Sequence, residues 1–212
     1  MSISKNINSL KQSLPANVTL IAVTKTHPVE KIMEAYNAGH KIFGENKVQE
    51  LLSKYQQIPT DAEWHLIGHL QSNKVKYIAP FIRYIHSIDS LKLLQEVNKQ
   101  AQKCDRIINC LLQIYIAKEE TKFGLSFEEA EQLLNSEELK SLQNICIKGF
   151  MGMATNTDNK EQIRNEFRSL KTFFDKHSQL TTLSLGMSSD YFIAIEEGSN
   201  MIRVGSAIFG KR

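Results

Sequence analysis

A lysine closes a compact apolar run near the start of the chain: Val18-Thr-Leu-Ile-Ala-Val23 leads into Thr24-Lys25-Thr26. A primary amine held against apolar surroundings suits carbonyl chemistry, because desolvation disfavours its ammonium form and frees the nitrogen lone pair. A strand-tip lysine whose head group simply reaches water has the same sequence signature, and the residues alone leave both readings open. Two later strings combine glycines with hydroxyls: Ser184-Leu-Gly186-Met187-Ser188-Ser189-Asp190 and Arg203-Val-Gly205-Ser206. Gly186 and Gly205 let backbone approach a ligand closely. Ser188 and Ser206 place hydroxyls beside amides able to open a short helix, and Arg203 adds a fixed positive charge. Together they fit an anion such as a phosphate group. Ordinary turn and capping chemistry accounts for any one of them taken singly.

Other reactive residue types point to less. His65 and His69 have the spacing of a helical zinc pair, but Gly68 lies between them at a strand end, so no metal site is expected. Glu119, Glu120, Glu128, Glu129 and Glu131 read as a solvated approach to a helix. Cys104, Cys110 and Cys146 lack CxxC spacing and are odd in number, which reads as buried, reduced thiols. The net charge of +3 is spread along the chain, so no nucleic-acid partner is expected, although it fits a pocket that holds an anion. No stretch approaches the roughly 20 apolar residues of a membrane helix, and no apolar leader opens the chain. A soluble, cytoplasmic protein is the expectation.

These residues need elements to position them. Two hydrophobic periods alternate along the chain. Val18–Val23 reads as a strand buried on both faces. Pro28 then starts a helix carrying Val29, Ile32, Met33 and Tyr36, and Gly39 suits its end. Ile42-Phe43 precede a helix with Val48, Leu51, Leu52 and Tyr55. Trp64–Ile67 precede one near Lys74–Ile78. Ile82–Ile88 precede Leu91–Ala101, with Asp89 or Ser90 as its N-cap. Ile107–Ile116 is the longest strand candidate, and Ser126-Phe-Glu-Glu129 reads as a capping box. Ile145–Met151 precede a helix near Lys160–His177, Thr181–Leu185 precede one near Tyr191–Glu197, and Met201–Val204 end the series. Eight strand–helix units in 212 residues predict a single (β/α)₈ TIM barrel, preceded by a short extra N-terminal helix. An open doubly wound sheet is the runner-up, but Thr24-Lys-Thr-His-Pro28 is no glycine-rich first turn. The expected organisation is an N-terminal helical segment over 1–17 and a barrel over 18–212. In such a barrel the polar strings fall at the carboxyl ends of strands, where chemistry sits, and the loops after strands seven and eight are the habitual phosphate site.

The strings also match a known family. Ala22-Val-Thr-Lys25-Thr, Phe43-Gly-Glu-Asn46, Trp64-His-Leu-Ile-Gly68 with Leu70-Gln-Ser-Asn-Lys74, Ser184-Leu-Gly-Met-Ser188 and Arg203-Val-Gly-Ser-Ala-Ile-Phe-Gly210 resemble the YggS/PROSC family of pyridoxal phosphate homeostasis proteins. The likeness runs in order from about Val18 to the C-terminus. It implies a fold-type III barrel like the N-terminal domain of alanine racemase, pyridoxal 5′-phosphate (PLP) held as an aldimine on Lys25, and a role in buffering or supplying the cofactor without established turnover. It further implies that Ser188, Arg203, Gly205 and Ser206 surround the phosphate end while Asn46 and Met187 line the pocket. Whether Arg203 meets the phosphate or the pyridine nitrogen stays open, and Lys122 matches a family lysine suited to act as a second amine. There are two departures. His27 stands where many members carry a lysine, and the segment before Val18 is shorter than usual, so the leading helix is expected to be trimmed.

A PLP-dependent racemase is the main alternative to a carrier. Racemisation needs proton transfer on both faces of a planar intermediate, and in alanine racemases the second face is served by a tyrosine from an added domain and partner subunit. Tyr36, Tyr55, Tyr77, Tyr84, Tyr115 and Tyr191 fall mostly in helix or strand bodies, so the carrier is preferred and a monomer expected, with apo PLP-dependent enzymes as candidate partners. A lysine-dependent aldolase would use the same barrel but lacks support from the family match.

Overall fold

In the computed structural model, which describes residues 2–117 and 123–210, the alternating periods become alternating elements. The strands are β1 (Thr19–Val23), β2 (Ile42–Glu45), β3 (Glu63–Leu66), β4 (Tyr84–Ile88), β5 (Ile108–Ile114), β6 (Ile145–Gly152), β7 (Thr182–Ser184) and β8 (Met201–Val204). They pair in parallel in chain order, and β8 returns to β1 with Ile21 opposite Arg203, which closes the barrel. Parallel strands need crossovers, and helices supply them. Those described are α1 (Ile3–Ser13), α2 (Val29–Asn37), α3 (Val48–Tyr55), α4 (Val75–Ile78), α5 (Leu91–Lys103), α6 (Phe127–Leu134), α7 (Glu137–Lys140), α8 (Lys160–Phe174), α9 (Tyr191–Glu196) and α10 (Ser206–Phe209).

The two-residue period of a strand divides the core in two. Leu20 and Ala22 of β1, and Ile202 and Val204 of β8, face outward into the main core beneath the helices. Ile21, Leu111, Met151 and Met201 face inward and plug the lumen. Arg203 shares the inward parity of Met201, and Lys25 continues the parity of Ile21 and Val23. Helix α1 belongs to the same hydrophobic body: Ile3, Ile7 and Leu10 are buried in the main core, and Asn6 donates to Ile208 O of α10 (2.8 Å).

Several boundaries differ from the expected ones. Ile82 is held by the end of α4 through its N–H to Ile78 O (2.9 Å), so β4 begins only at Tyr84. Strand β5 is shorter than 107–116, since Ile107 is exposed and Tyr115 bonds to Leu125 O instead of a neighbouring strand. Helix α8 stops at Phe174 because the His177 ring turns back to Phe173 O (3.0 Å) and reaches Glu131 (3.1 Å). Ser90 is the cap of α5, accepting from Leu93 N, and the Ser126–Glu129 capping box forms with both reciprocal bonds. Of the cysteines only Cys110 is fully buried, where burial pushes its thiol up; Cys104 and Cys146 are partly exposed, contrary to the expectation for all three. No helix among the described residues is long and apolar enough to cross a membrane.

Candidate functional site

The carboxyl ends of β1, β2, β7 and β8 surround one cavity of about 740 Å³. Lys25, Asn46, Met187, Ser188, Arg203, Gly205 and Ser206 all line it, together with Val23, His27, Ile67, Met153, Ser189 and Gly210. A depression of about 500 Å³ lies at the other end of the strands, between α1 and Thr19, Ile42 and Glu63. That end of a barrel serves stability, whereas the carboxyl end serves chemistry.

Lys25 stands at the rim one residue beyond buried Thr24. It is half-buried, so the expected enclosure in apolar surroundings is only partial: its strand has ended and its stem crosses the rim. Asn46 follows β2 and is held from behind by Gly68. A Cβ at that glycine would lie 2.4 Å from Asn46 O and 2.8 Å from Asn46 Cα, so only glycine lets the β3 loop close on it. Gly186 sits at φ +91°, a left-handed turn that swings the β7 loop across the mouth, and a Cβ there would strike Tyr191 and Ala194 of α9. Gly205 has an ordinary negative φ and packs against Val23 of β1. The two loops are joined directly, because the Gly205 N–H donates to Ser188 Oγ (3.1 Å). The first amides of a helix lack partners within it, and Ser206 opens α10 beside Ser188.

Arg203 is buried in the lumen, 4% exposed. Its guanidinium donates to Ser184 O (2.8 Å), Ser184 Oγ (2.6 Å) and Gly152 O (3.0 Å), which ties β8 to β7 and β6. Burial lowers it to about 10, with Asp190 pulling the other way, so it stays charged at neutral pH. Behind it runs a polar chain that sequence reasoning missed. Ser184 Oγ lies 3.2 Å from His86 Nδ1, and His86 Nε2 lies 3.0 Å from His65 Nδ1. Arginine can only donate, so Ser184 Oγ accepts from Arg203, and the Ser184 hydroxyl, His86 and His65 continue as one hydrogen-bonded chain behind the guanidinium. Both imidazoles are neutral. Burial brings His65 down to about 3, helped by Arg83, and holds His86 well below its usual range, helped by His65 and Arg203. His86 carries no spacing signal; only the closed barrel makes its strand face Ser184 from across the lumen.

His65 and His69 part company. His65 is enclosed and stacked on Tyr84 (ring centroids 4.7 Å), whereas His69 is exposed, stacked on Phe123 and near Asp89. Among the described residues no group of His, Cys, Asp and Glu could hold a metal ion. Glu128, Glu129 and Glu131 are exposed on α6. Lys122, Glu119 and Glu120 lie outside the described residues. Apolar cavity residues such as Ile67 and Met153 were also missed, since neither differs in type from a core residue.

The whole chain, residues 1–212, matches the family model described as alanine racemase, N-terminal domain. It is 40% identical over 199 residues to the pyridoxal phosphate homeostasis protein of Aquifex aeolicus, covering 91% of this chain and 86% of that protein. Its fold superposes on PipY of Synechococcus elongatus with PLP bound, with a TM-score of 0.89 and 36% identity over 98% of this chain and 100% of that one. Alanine racemase of Clostridium difficile is also similar, with a TM-score of 0.81 at 15% identity, covering 100% of this chain and 57% of the racemase, and it shares the fold alone.

Proposed function

We propose a function from the premise that this chain belongs to the alanine racemase N-terminal domain family and, within it, to the pyridoxal phosphate homeostasis proteins: it holds PLP at Lys25 and takes part in keeping that cofactor available in the cytoplasm. One observation carries the reading. A primary amine, a buried arginine and two hydroxyl-bearing loops converge on one cavity, whose volume suits a small cofactor.

Each part of the cofactor has a counterpart. PLP supplies an aldehyde that condenses with a primary amine, losing water, and Lys25 is the amine at the rim. Ser188, its oxygen already accepting from Gly205, keeps its O–H to donate to a phosphate oxygen beside Ser206. Ile67 and Met153 offer apolar surface to a flat ring, and Asn46 and Met187 complete the walls. Arg203 is drawn into the lumen by Ser184 and Gly152, and from there it would meet the ring nitrogen rather than the phosphate. A guanidinium there would leave that nitrogen unprotonated and weaken the ring as an electron sink. A site so built retains the cofactor without strongly promoting bond cleavage on it. Carrier fits better than catalyst, and a monomer delivering to apo PLP-dependent enzymes is the corresponding mode of action.

The racemase alternative has one observation in its favour: His27, a titratable group, lines the same cavity. Incubating the protein with each L-amino acid in deuterated water decides between the two, since exchange at Cα would overturn the carrier reading. The covalent site is tested by the visible band of the protein and the mass of its borohydride-reduced form. Lys25→Ala is expected to lose both while staying folded. A reducible adduct retained in that variant would refute the assignment.

A further inference from the structure

Behind Lys25 lies a charged cluster that the cavity does not touch. Lys54, on α3, is 4% exposed, and its ammonium donates to Thr24 O (2.7 Å), Glu45 Oε1 (2.5 Å) and Glu50 Oε1 (2.7 Å). An ammonium has three N–H groups, and all are used. Glu45 is fully buried and also accepts from Thr24 Oγ1 (2.6 Å) and from the amide of Asn46 (3.3 Å). Glu50 accepts from the Thr26 amide (2.5 Å). The cluster therefore grips main-chain atoms on both sides of residue 25, the carbonyl of Thr24 and the N–H of Thr26. Thr26 sits at φ +65°, a left-handed conformation that a β-branched residue adopts only when its surroundings impose it.

A buried ion pair adds little net stability over an apolar one of equal volume, so stability alone gives weak reason to bury Lys54 and Glu45 here, with Glu50 partly exposed beside them. Their contacts give a better one. We propose that Lys54, with Glu45 and Glu50, aims Lys25: it holds the backbone around residue 25 so that the amine projects into the cavity along the inward parity of β1. These are positioning residues, since none of the three lines the cavity. The inference rests on the reading that Lys25 bonds to PLP and adds how that amine is kept in register with a cofactor held independently by the β7 and β8 loops.

The test separates binding from bond formation. Pyridoxine 5′-phosphate carries an alcohol where PLP has its aldehyde, so it fits the same cavity but forms no bond with the amine. Its affinity is measured by calorimetry, and the rate at which the visible band grows on adding PLP to apo protein is measured by absorbance. Lys54→Met alone strands buried Glu45, so the double variant Lys54→Met/Glu45→Gln is used, with Glu50→Gln, on a partly exposed residue, as the variant safest for folding. In both, affinity for the alcohol should be unchanged while band growth slows roughly tenfold or more, as misplacement of a reacting group does. Band growth at the native rate in both would overturn the proposal. So would an equal loss of affinity for both ligands, which would make the cluster a support of the whole cavity. Lys25→Ala run alongside distinguishes the two failures: a band that persists there refutes the assignment of Lys25 itself, not the aiming device.

Discussion

At the scale of single residues, what matters at this site is which donors are already committed. Arg203 gives three N–H bonds to Ser184 and Gly152, so its direction is set before any ligand arrives. A lysine there keeps the charge but cannot span both partners. Arg203→Lys is therefore expected to loosen PLP retention by roughly tenfold or more, because a planar fork is replaced by a point charge. Dialysis followed by the absorbance of the visible band measures this, and native retention would show that the bridge does nothing for the ligand. The residue scale is also where sequence reading was both strongest and most limited. Lys25, Ser188, Arg203, Gly205 and Ser206 were legible because they occur in polar or glycine-containing strings at strand ends, whereas Asn46 and Met187 were named only through the family resemblance. Lys54 was not. On α3 it has the look of any surface-helix lysine, and the i,i+4 spacing from Glu50 suggests an exposed pair. Only the packing of α3 against β2 and β3 turns that side chain inward, to Glu45 and the Thr24 carbonyl.

Among elements, the loops are positioned by close approaches rather than by many bonds. Gly68 lets the loop after β3 lie against the Asn46 backbone, and Gly68→Ala forces the two apart. Overpacking of that kind costs about 1–3 kcal/mol. Urea unfolding should register that loss, and because Asn46 is a cavity wall, PLP retention should fall with it. Helix α1 is held by burial instead. Ile7 is fully enclosed, and Ile7→Ala should cost about 2–5 kcal/mol, the usual penalty for a buried aliphatic side chain. A cost below about 1 kcal/mol in urea unfolding, the range of exposed sites, would mean that α1 does not dock as described. The order of strands and helices was evident from period and punctuation. The element ends were less so, because Ile82 and His177 are claimed by long-range or capping bonds that compete with the local pattern.

For the molecule as a whole, the buried imidazoles couple stability to pH. Burial lowers His40 to about 4 and His65 to about 3, and it holds His86 well below its ordinary range. A base whose folded pKa is depressed takes up its proton more readily once unfolded. Stability is then complete above about pH 6.5 and is lost as the pH falls from there through about 4 for His40 and about 3 for His65. With three such sites at about 1.36 kcal/mol per pH unit each, the decline is steep. Glu45 opposes it weakly, since burial pushes that carboxyl up against the pull of Lys54 and Thr24. Urea midpoints at pH 7.5 and 5.5 check this: the expected result is a clear drop at 5.5, and equal midpoints would mean that the histidines are not buried in neutral form.

From the sequence alone came the alternation of strand and helix, the single closed barrel and the residues of the candidate site, because each is written in local period, in turn chemistry or in short strings. The tertiary structure decided what those residues face. Barrel closure sets Ile21 beside Arg203, aims Arg203 at Ser184 and Gly152, lines His65 and His86 behind it, and folds Lys54 under the backbone of Lys25. Those partners lie from 19 residues apart, for Arg203 and Ser184, to opposite ends of the chain, for Ile21 and Arg203. No local periodicity encodes such a pairing; only a closed sheet, in which every inward side chain meets those across the lumen, brings it about.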